Sequence, residues 1–358
     1  MKRRNFLATT GIGAAAAVAA PAIAQGRTEW TMVTPWPKGA PGVGVNAQRV
    51  ADRITEMSDG RLTIKLYAGG ELVPPFESMD AVQSGNADIM HATPYYWVGK
   101  TPSLNYFTTV PFGLNAVELA GWLYHGGGQA LWDEAYAGLG VKAFYAGSSG
   151  VQAGGWFRQE INTLDDIRGL KIRIAGLGGE VFRRLGAAVV LLPPGEIFPA
   201  MQAGTVDAAE WVGPWNDLAF GLHRVAKYYY TPAFHEPGPG LEVVVNKAKY
   251  EVLPPDLQKI VQYAAQSVAD ETVADFHYHN VVSLRPLVEE HGVQLREFSD
   301  AIVAELGRVS LEALEEIGAS DPFTARVHAS YMDFLHQAAP YSARMEQTML
   351  RQRAAVLG

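Results

Sequence analysis

A handful of residues in this 358-residue chain carry side chains whose type and setting suit them to hold a small charged molecule. Arg173 sits between two apolar neighbours in the alternating run Leu170-Lys171-Ile172-Arg173-Ile174, which reads as a strand. An arginine projecting from a strand end presents a planar fork that grips a carboxylate through two parallel hydrogen bonds; a salt bridge to a neighbouring acid is the alternative. Glu210 follows three small or apolar residues and precedes Trp211, so it is either a strand-end surface residue or a ligand. A buried carboxylate must be paired or must bind a cation. Glu236, in the rigid turn His235-Glu236-Pro237-Gly238, can add a second oxygen, although Glu242 lies close by, and Gln152 can add a neutral one. Oxygen ligands of this kind select Na+ or Ca2+ over zinc. Tyr95 and Tyr96, before Trp97, are either core packing or one wall of a pocket.

Enzyme signatures are weak. Gly176-Leu177-Gly178-Gly179 lacks the third glycine of a dinucleotide fingerprint, and Gly147-Ser148-Ser149-Gly150 is one residue short of a nucleophile elbow. His277 and His279 point about 200° apart on a helix, too far for one metal. The absence of cysteine excludes disulfides, thiolate metal sites and cysteine nucleophiles.

The elements that must position these residues show themselves through a repeat. Ala81-Val82-Gln83-Ser84-Gly85-Asn86-Ala87-Asp88 returns as Ala200-Met201-Gln202-Ala203-Gly204-Thr205-Val206-Asp207, identical at four of eight positions. Each copy reads as the end of a helix, a glycine suited to a left-handed cap, and a short apolar strand running toward a proline among aromatics. Ligands of open α/β sheets sit beyond the carboxyl ends of the strands, so two such ends imply two lobes facing one cleft. Glu29 to Thr34, Val45 to Ser58 and Leu62 to Tyr67 open the first lobe as a β-α-β unit. The second lobe begins near Gly150, and Ala188 to Leu192 reads as a buried strand. Pro237 to Gly240 marks a return, with Leu241 to Val245 crossing back to the first lobe. Helical segments fill Pro255 to about Glu290 and Asp300 to the end.

Residues 1–24 carry Lys2-Arg3-Arg4, a weakly apolar alanine-rich run and Ala22-Ile23-Ala24, the pattern of a cleavable export signal with twin-arginine spacing; an ordinary secretory signal is the alternative. Its removal takes away three cations, leaving 26 basic against 37 acidic side chains, a net charge of −11 that disfavours nucleic acid as a partner.

The segments Leu164 to Arg173 and Ala200 to Trp211 resemble the solute-binding proteins of tripartite ATP-independent periplasmic (TRAP) transporters, and the similarity covers essentially the whole mature chain. Gln152, Glu210-Trp211 and His235-Glu236-Pro237-Gly238 are similar to the branch that binds 2-oxo acids such as pyruvate with a cation. The resemblance implies an α/β fold of the two-lobe periplasmic binding protein kind (type II-like), with hinge strands and a long C-terminal helix. The implied division is residues 25–150 for lobe 1, completed by about 240–285; residues 151–239 for lobe 2, completed by about 286–322; and a helical arm at 323–358. It further implies that Arg173 grips the substrate carboxylate, with Tyr95 and Tyr96 closing the pocket. Gln152, Glu210, the Trp211 carbonyl and Glu236 would surround Na+ or Ca2+. The role expected is that of a carrier in the periplasm, delivering its ligand to small and large membrane subunits without catalysis. Another organic acid (sugar acid, aromatic acid or dicarboxylate) and an exported metal-dependent hydrolase are the competing readings. The stripe Tyr331, Leu335, Met345 and Met349 needs a covering surface, either the chain's own lobes or a second subunit of a homodimer.

Overall fold

The computed structural model describes residues 26–358, so the export signal at 1–24 lies outside the described residues. Its strands in chain order are β1 (Thr28–Val33), β2 (Leu62–Tyr67), β3 (Ile89–Ala92), β4 (Val141–Ser148), β5 (Gly155–Phe157), β6 (Lys171–Arg173), β7 (Ala188–Val190), β8 (Ala208–Ala209), β9 (Tyr228–Tyr230), β10 (Gly240–Asn246) and β11 (Gln294–Arg296). They form two sheets, one in the order β2-β1-β3-β10-β4 and the other β11-β9-β5-β8-β6-β7. Most neighbours are parallel, as β-α-β connections require, but β10 and β5 run against theirs. Those two strands lie where the chain changes lobe.

The repeated octet does the same work in each sheet. Helices Ser78–Ser84 and Ile197–Ala203 close on Gly85 (φ 79°) and Gly204 (φ 73°), a left-handed conformation that glycine adopts without a Cβ penalty. The conserved-in-repeat aspartates then lock each new strand to its parallel neighbour. Asp88 donates its N–H to the Thr31 carbonyl and accepts from the Thr31 N–H at 2.6 Å; Asp207 does likewise with Lys171, at 2.7 and 3.3 Å. Register is thereby fixed before either strand delivers its C-terminal residues to the cleft.

Two crossovers, residues 149–154 and 231–239, run side by side between the lobes. Gly154 N–H donates to Tyr230 O (2.7 Å), Ala233 N–H to Gln152 O (2.9 Å) and Gln152 N–H to Glu236 O (3.1 Å). The helix Pro255–Glu289 is a third link, about 50 Å long at 1.5 Å per residue. It lies hard against lobe 1: a Cβ at Gly147 would sit 2.6 Å from Thr272, and one at Gly42 would strike the Phe276 ring.

Two expectations change. Ala188 to Leu192 is not a buried strand, because β7 is the sheet's outer edge and Val190 and Leu191 face solvent. The C-terminal helical region is broken at Ser320-Asp321, where the Asp321 carboxylate caps a new helix, Pro322–Ser342. That helix returns to lobe 1, where Tyr331 is buried, accepts from the Leu114 N–H (2.9 Å) and packs on Trp122. The stripe therefore divides, since Met345 and Met349 remain exposed beyond it.

Glu242 faces inward from β10, with Oε2 accepting from the Tyr136 hydroxyl (2.7 Å) and Oε1 unpartnered. Burial pushes its carboxyl from an ordinary 4.5 up to about 8, against the pull of Tyr136. As pH rises through 4.5 the unfolded chain releases this proton while the folded chain retains it to about 8, so Glu242 erodes stability across that window. Glu242→Gln should remove the erosion, gaining on wild type by up to about 1.4 kcal/mol per pH unit between about pH 5 and 8 in denaturant unfolding. A difference independent of pH would contradict this assignment.

Candidate functional site

The carboxyl ends of β3 and β8 face each other across the cleft. From lobe 1, Pro94–Trp97 turns in a single 3-10 coil whose Tyr95 N–H donates to Thr108 Oγ1 (2.8 Å). From lobe 2, Glu210 and Trp211 leave β8 beside the end of β6, and the Glu210 N–H donates to the Arg173 carbonyl (2.9 Å). Between them lies a small cavity of about 20 Å³ lined by Trp36, Tyr95, Tyr96, Gln152 and Trp211 among others. The aromatic rings meet across the lobes, with Trp36 6.3 Å from Trp211 between ring centres, and Trp36 lies 5.9 Å from Tyr96 within lobe 1.

Arg173 is 1 % exposed and Glu210 fully buried. The guanidinium Nη1 donates to Glu210 Oε2 (3.1 Å) and to the Glu210 carbonyl (2.6 Å), Nε reaches Leu192 O (3.3 Å), and the group lies 5.6 Å from the Trp211 ring centre. The salt-bridge alternative is thus present, but it occupies only part of the fork, because Nη2 has no partner. Glu236 is buried in the second crossover with both carboxylate oxygens unpartnered, and the same is true of Glu210 Oε1, Gln152 Oε1, Trp211 Nε1 and both nitrogens of His235. Gln152 is held by its amide nitrogen, which donates to Ser149 Oγ (2.8 Å), leaving its oxygen free. One oxygen from each of Glu210 and Glu236 and one nitrogen of His235 lie within 4.8 Å of one another, close enough to surround one ion.

Unpaired buried polar atoms are rare in folded proteins, and a cluster of them is a sign of a missing occupant. Unpaired carboxylate and amide oxygens beside one free guanidinium nitrogen together describe a cation and an anion side by side. The electrostatics agree. Burial raises both the Glu210 and Glu236 carboxyls, their mutual repulsion adds to it at Glu210, and Arg173 opposes it. Burial, aided by Arg173, pulls His235 from 6.5 to about 3, so its ring is neutral. The residues present therefore fit a cation held by hard oxygens.

Arg173, Gln152, Glu210, Trp211, Glu236, Tyr95 and Tyr96 converge on this region, whereas Glu242 sits with Tyr136 in the lobe 1 core. His277 and His279 stay apart from it, His279 stacking on Trp215. Two neighbours went unremarked in the sequence. Trp36, whose Nε1 donates to His91 Nδ1 (2.9 Å), follows the carboxyl end of β1 and was open to the strand-end argument used for Tyr95. His235 stood inside the motif that supplied Glu236. The larger surface grooves, such as the one of about 470 Å³ beside Lys38 and Glu71, show no comparable cluster of unpaired buried atoms.

Two sheets, paired crossovers and a charged site sealed between them define a bilobed ligand-binding protein. Residues 35–321 match the model of the bacterial extracellular solute-binding protein family 7, and the chain belongs to that family. Its relatives include a monocarboxylate 2-oxoacid-binding periplasmic protein from Nostoc, 40 % identical over 347 residues that make up 94 % of each chain. Among solved structures, a TRAP solute-binding protein from Bordetella bronchiseptica superposes with a TM-score of 0.90 at 32 % identity, covering 92 % of this chain and 98 % of that one; it is a dimer with calcium and picolinate. Another from Pseudoalteromonas atlantica, with bound sodium and pyruvate, gives 0.88 at 37 % identity over 91 % and 99 %. The family consists of solute-binding subunits of transporters, and no helix among the described residues is long and apolar enough to cross a membrane.

Proposed function

We propose that this protein captures a small 2-oxo or 2-hydroxy monocarboxylate such as pyruvate together with Na+ or Ca2+, and hands it to the membrane subunits of a TRAP transporter. The observation that carries the reading is the buried set of unpaired atoms: four acceptor oxygens from Gln152, Glu210 and Glu236 beside the free Arg173 Nη2. Those oxygens, with the Trp211 carbonyl, would hold the cation, and Arg173 would grip the carboxylate. A 2-oxo acid can chelate the cation through one carboxylate oxygen and its 2-oxygen. Picolinate and pyruvate, bound in the two related structures, share that arrangement of a carboxylate beside a second donor atom. The aromatic walls of Tyr95, Tyr96, Trp36 and Trp211 leave little free space between the lobes, a cavity of about 20 Å³, which favours a small acid over a sugar acid. The reading is one of binding and release, in keeping with a family of extracellular solute-binding proteins. Export to the periplasm by a cleavable signal, with twin-arginine spacing, belongs to the same reading.

The exposed C-terminal helix supports a homodimer. Tyr341, Met345, Met349, Leu350, Val356 and Leu357 are all at least 46 % exposed, beyond the part of the helix region that packs on lobe 1. A second copy is the natural cover for such an apolar face, and a light-scattering mass of one chain at micromolar concentration would rule it out.

The ligand test is thermal unfolding of stripped protein with pyruvate, 2-oxobutyrate or lactate, each with Na+ and with Ca2+, against galacturonate and benzoate. A 2-oxo acid at 100 times its dissociation constant adds roughly 2.7 kcal/mol, a readily measured shift. No shift with any 2-oxo or 2-hydroxy acid under either cation would refute the proposal.

A further inference from the structure

His235 is buried, both its ring nitrogens lack partners, and neither the carboxylate grip of Arg173 nor the oxygen set around a cation makes use of it. Its place is closely defined. The ring stands edge-on to Phe234, 5.0 Å between centres, and its backbone carbonyl accepts from Thr109 Oγ1 (3.3 Å). On the side of helix Gly176–Arg184 it occupies the space that any larger residue at 178 would need: a Cβ there would lie 2.8 Å from His235 Cγ and Cδ2 and 2.9 Å from its Cβ. Gly178 is thus the residue that makes room for the imidazole at the edge of the site.

Hydrogen-bond accounting says what the imidazole is for. Gln152 Oε1 and, with both carboxyls ionised beside a cation, Glu210 Oε1 and the two Glu236 oxygens are acceptors only, and a hard cation satisfies all of them. At the site, the remaining unpaired buried groups that can donate are Arg173 Nη2, Trp211 Nε1 and whichever His235 nitrogen carries the proton. Donors gain nothing from a cation; they need the oxygens of an acid. Nitrogen is also a poor ligand for Na+ or Ca2+, whose preference is for oxygen, so the nearness of His235 to Glu210 and Glu236 places it beside the ion without making it a ligand.

We infer that His235 is a substrate-binding residue, its ring N–H donating to an oxygen of the bound acid on the side that neither the cation nor Arg173 covers, in a slot kept open by Gly178. The inference rests on the functional reading above and adds to it a third point of recognition. One donor to an ionised oxygen adds a charge-assisted hydrogen bond to those made by the chelated cation and Arg173 Nη2.

The test is calorimetric titration of pyruvate at saturating Ca2+ into wild type, His235→Phe, His235→Asn and Gly178→Ala, with Tb3+ luminescence reporting the cation site of the acid-free proteins. His235→Phe and Gly178→Ala should each weaken pyruvate by about tenfold or more, as loss of one hydrogen bond to a charged group requires. His235→Asn, which keeps an N–H on a shorter arm, should lose less. Tb3+ affinity should stay within about threefold of wild type in all three, since the oxygen set is intact. Gly178→Ala guards against a folding artefact, because alanine favours the helix it enters and leaves the histidine in the chain. Pyruvate affinity unchanged in His235→Phe and Gly178→Ala overturns the inference, as does a fall in Tb3+ affinity that parallels the fall for pyruvate, which would make His235 a metal ligand. Wild type is titrated first: failure of wild type to bind any 2-oxo acid overturns the functional reading, whereas binding by wild type and equal binding by the variants overturns His235 alone.

Discussion

One guanidinium is buried against two carboxylates in a space closed to water. Arg173 cannot lose its proton in practice, and Glu210 and Glu236 flank it with no aqueous screening and with three oxygens unsatisfied between them. Removing such a group from water costs several kcal/mol unless opposite charge repays it. The trio carries one negative charge too many when both acids are ionised, so the closed form favours protonation of one carboxylate or arrival of a cation. On the proposed reading, a cation would offset that excess and leave Arg173 Nη2 to meet an anionic acid. The proposed function thus requires two partners of opposite sign at one site, each making the other's binding more favourable.

The fold serves this arrangement by keeping the three groups on separate structural pieces. Arg173 ends β6, Glu210 follows β8, and Glu236 belongs to the second crossover, which is hydrogen-bonded to the first through Gln152. Lobe 1 contributes no charge to the trio, only the aromatic wall of Tyr95, Tyr96 and Trp36 that excludes water. Separating the lobes would rehydrate the charges and weaken their hold on an ion pair; closing them strengthens every contact inside. Cation, acid and closure are in this way linked, which is how a binding protein can report its occupancy by its shape.

Much of this was legible in the sequence because the informative residues obey local rules. The repeated octet ends helices on Gly85 and Gly204, and its aspartates lock parallel strands, so the scaffold of both lobes could be read from eight residues at a time. Arg173 and Glu210 stood out as polar residues ending apolar strands. The rest depended on contacts that sequence distance conceals. Whether Glu236 or Glu242 faced the cleft was decided by β10 turning the latter toward Tyr136. The exposure of β7 depends on its place at the sheet's edge, which its apolar composition does not reveal. The apolar stripe after residue 322 is continuous in the chain, yet a buried hydroxyl contact at Tyr331 ties down only its first half. His235 was masked by its neighbour, since the turn that offered Glu236 gave no sign of how its histidine pointed.

If a shared charge deficit organises the site, cation and acid must bind with positive, reciprocal coupling. Ca2+ titrations of stripped protein, without and with saturating pyruvate, should show Ca2+ binding tighter in the second case, and pyruvate binding should tighten by the same factor when Ca2+ is added. Equal Ca2+ affinity in the presence and absence of pyruvate would mean that the two do not share the Arg173, Glu210 and Glu236 site, and the charge deficit would no longer explain its construction.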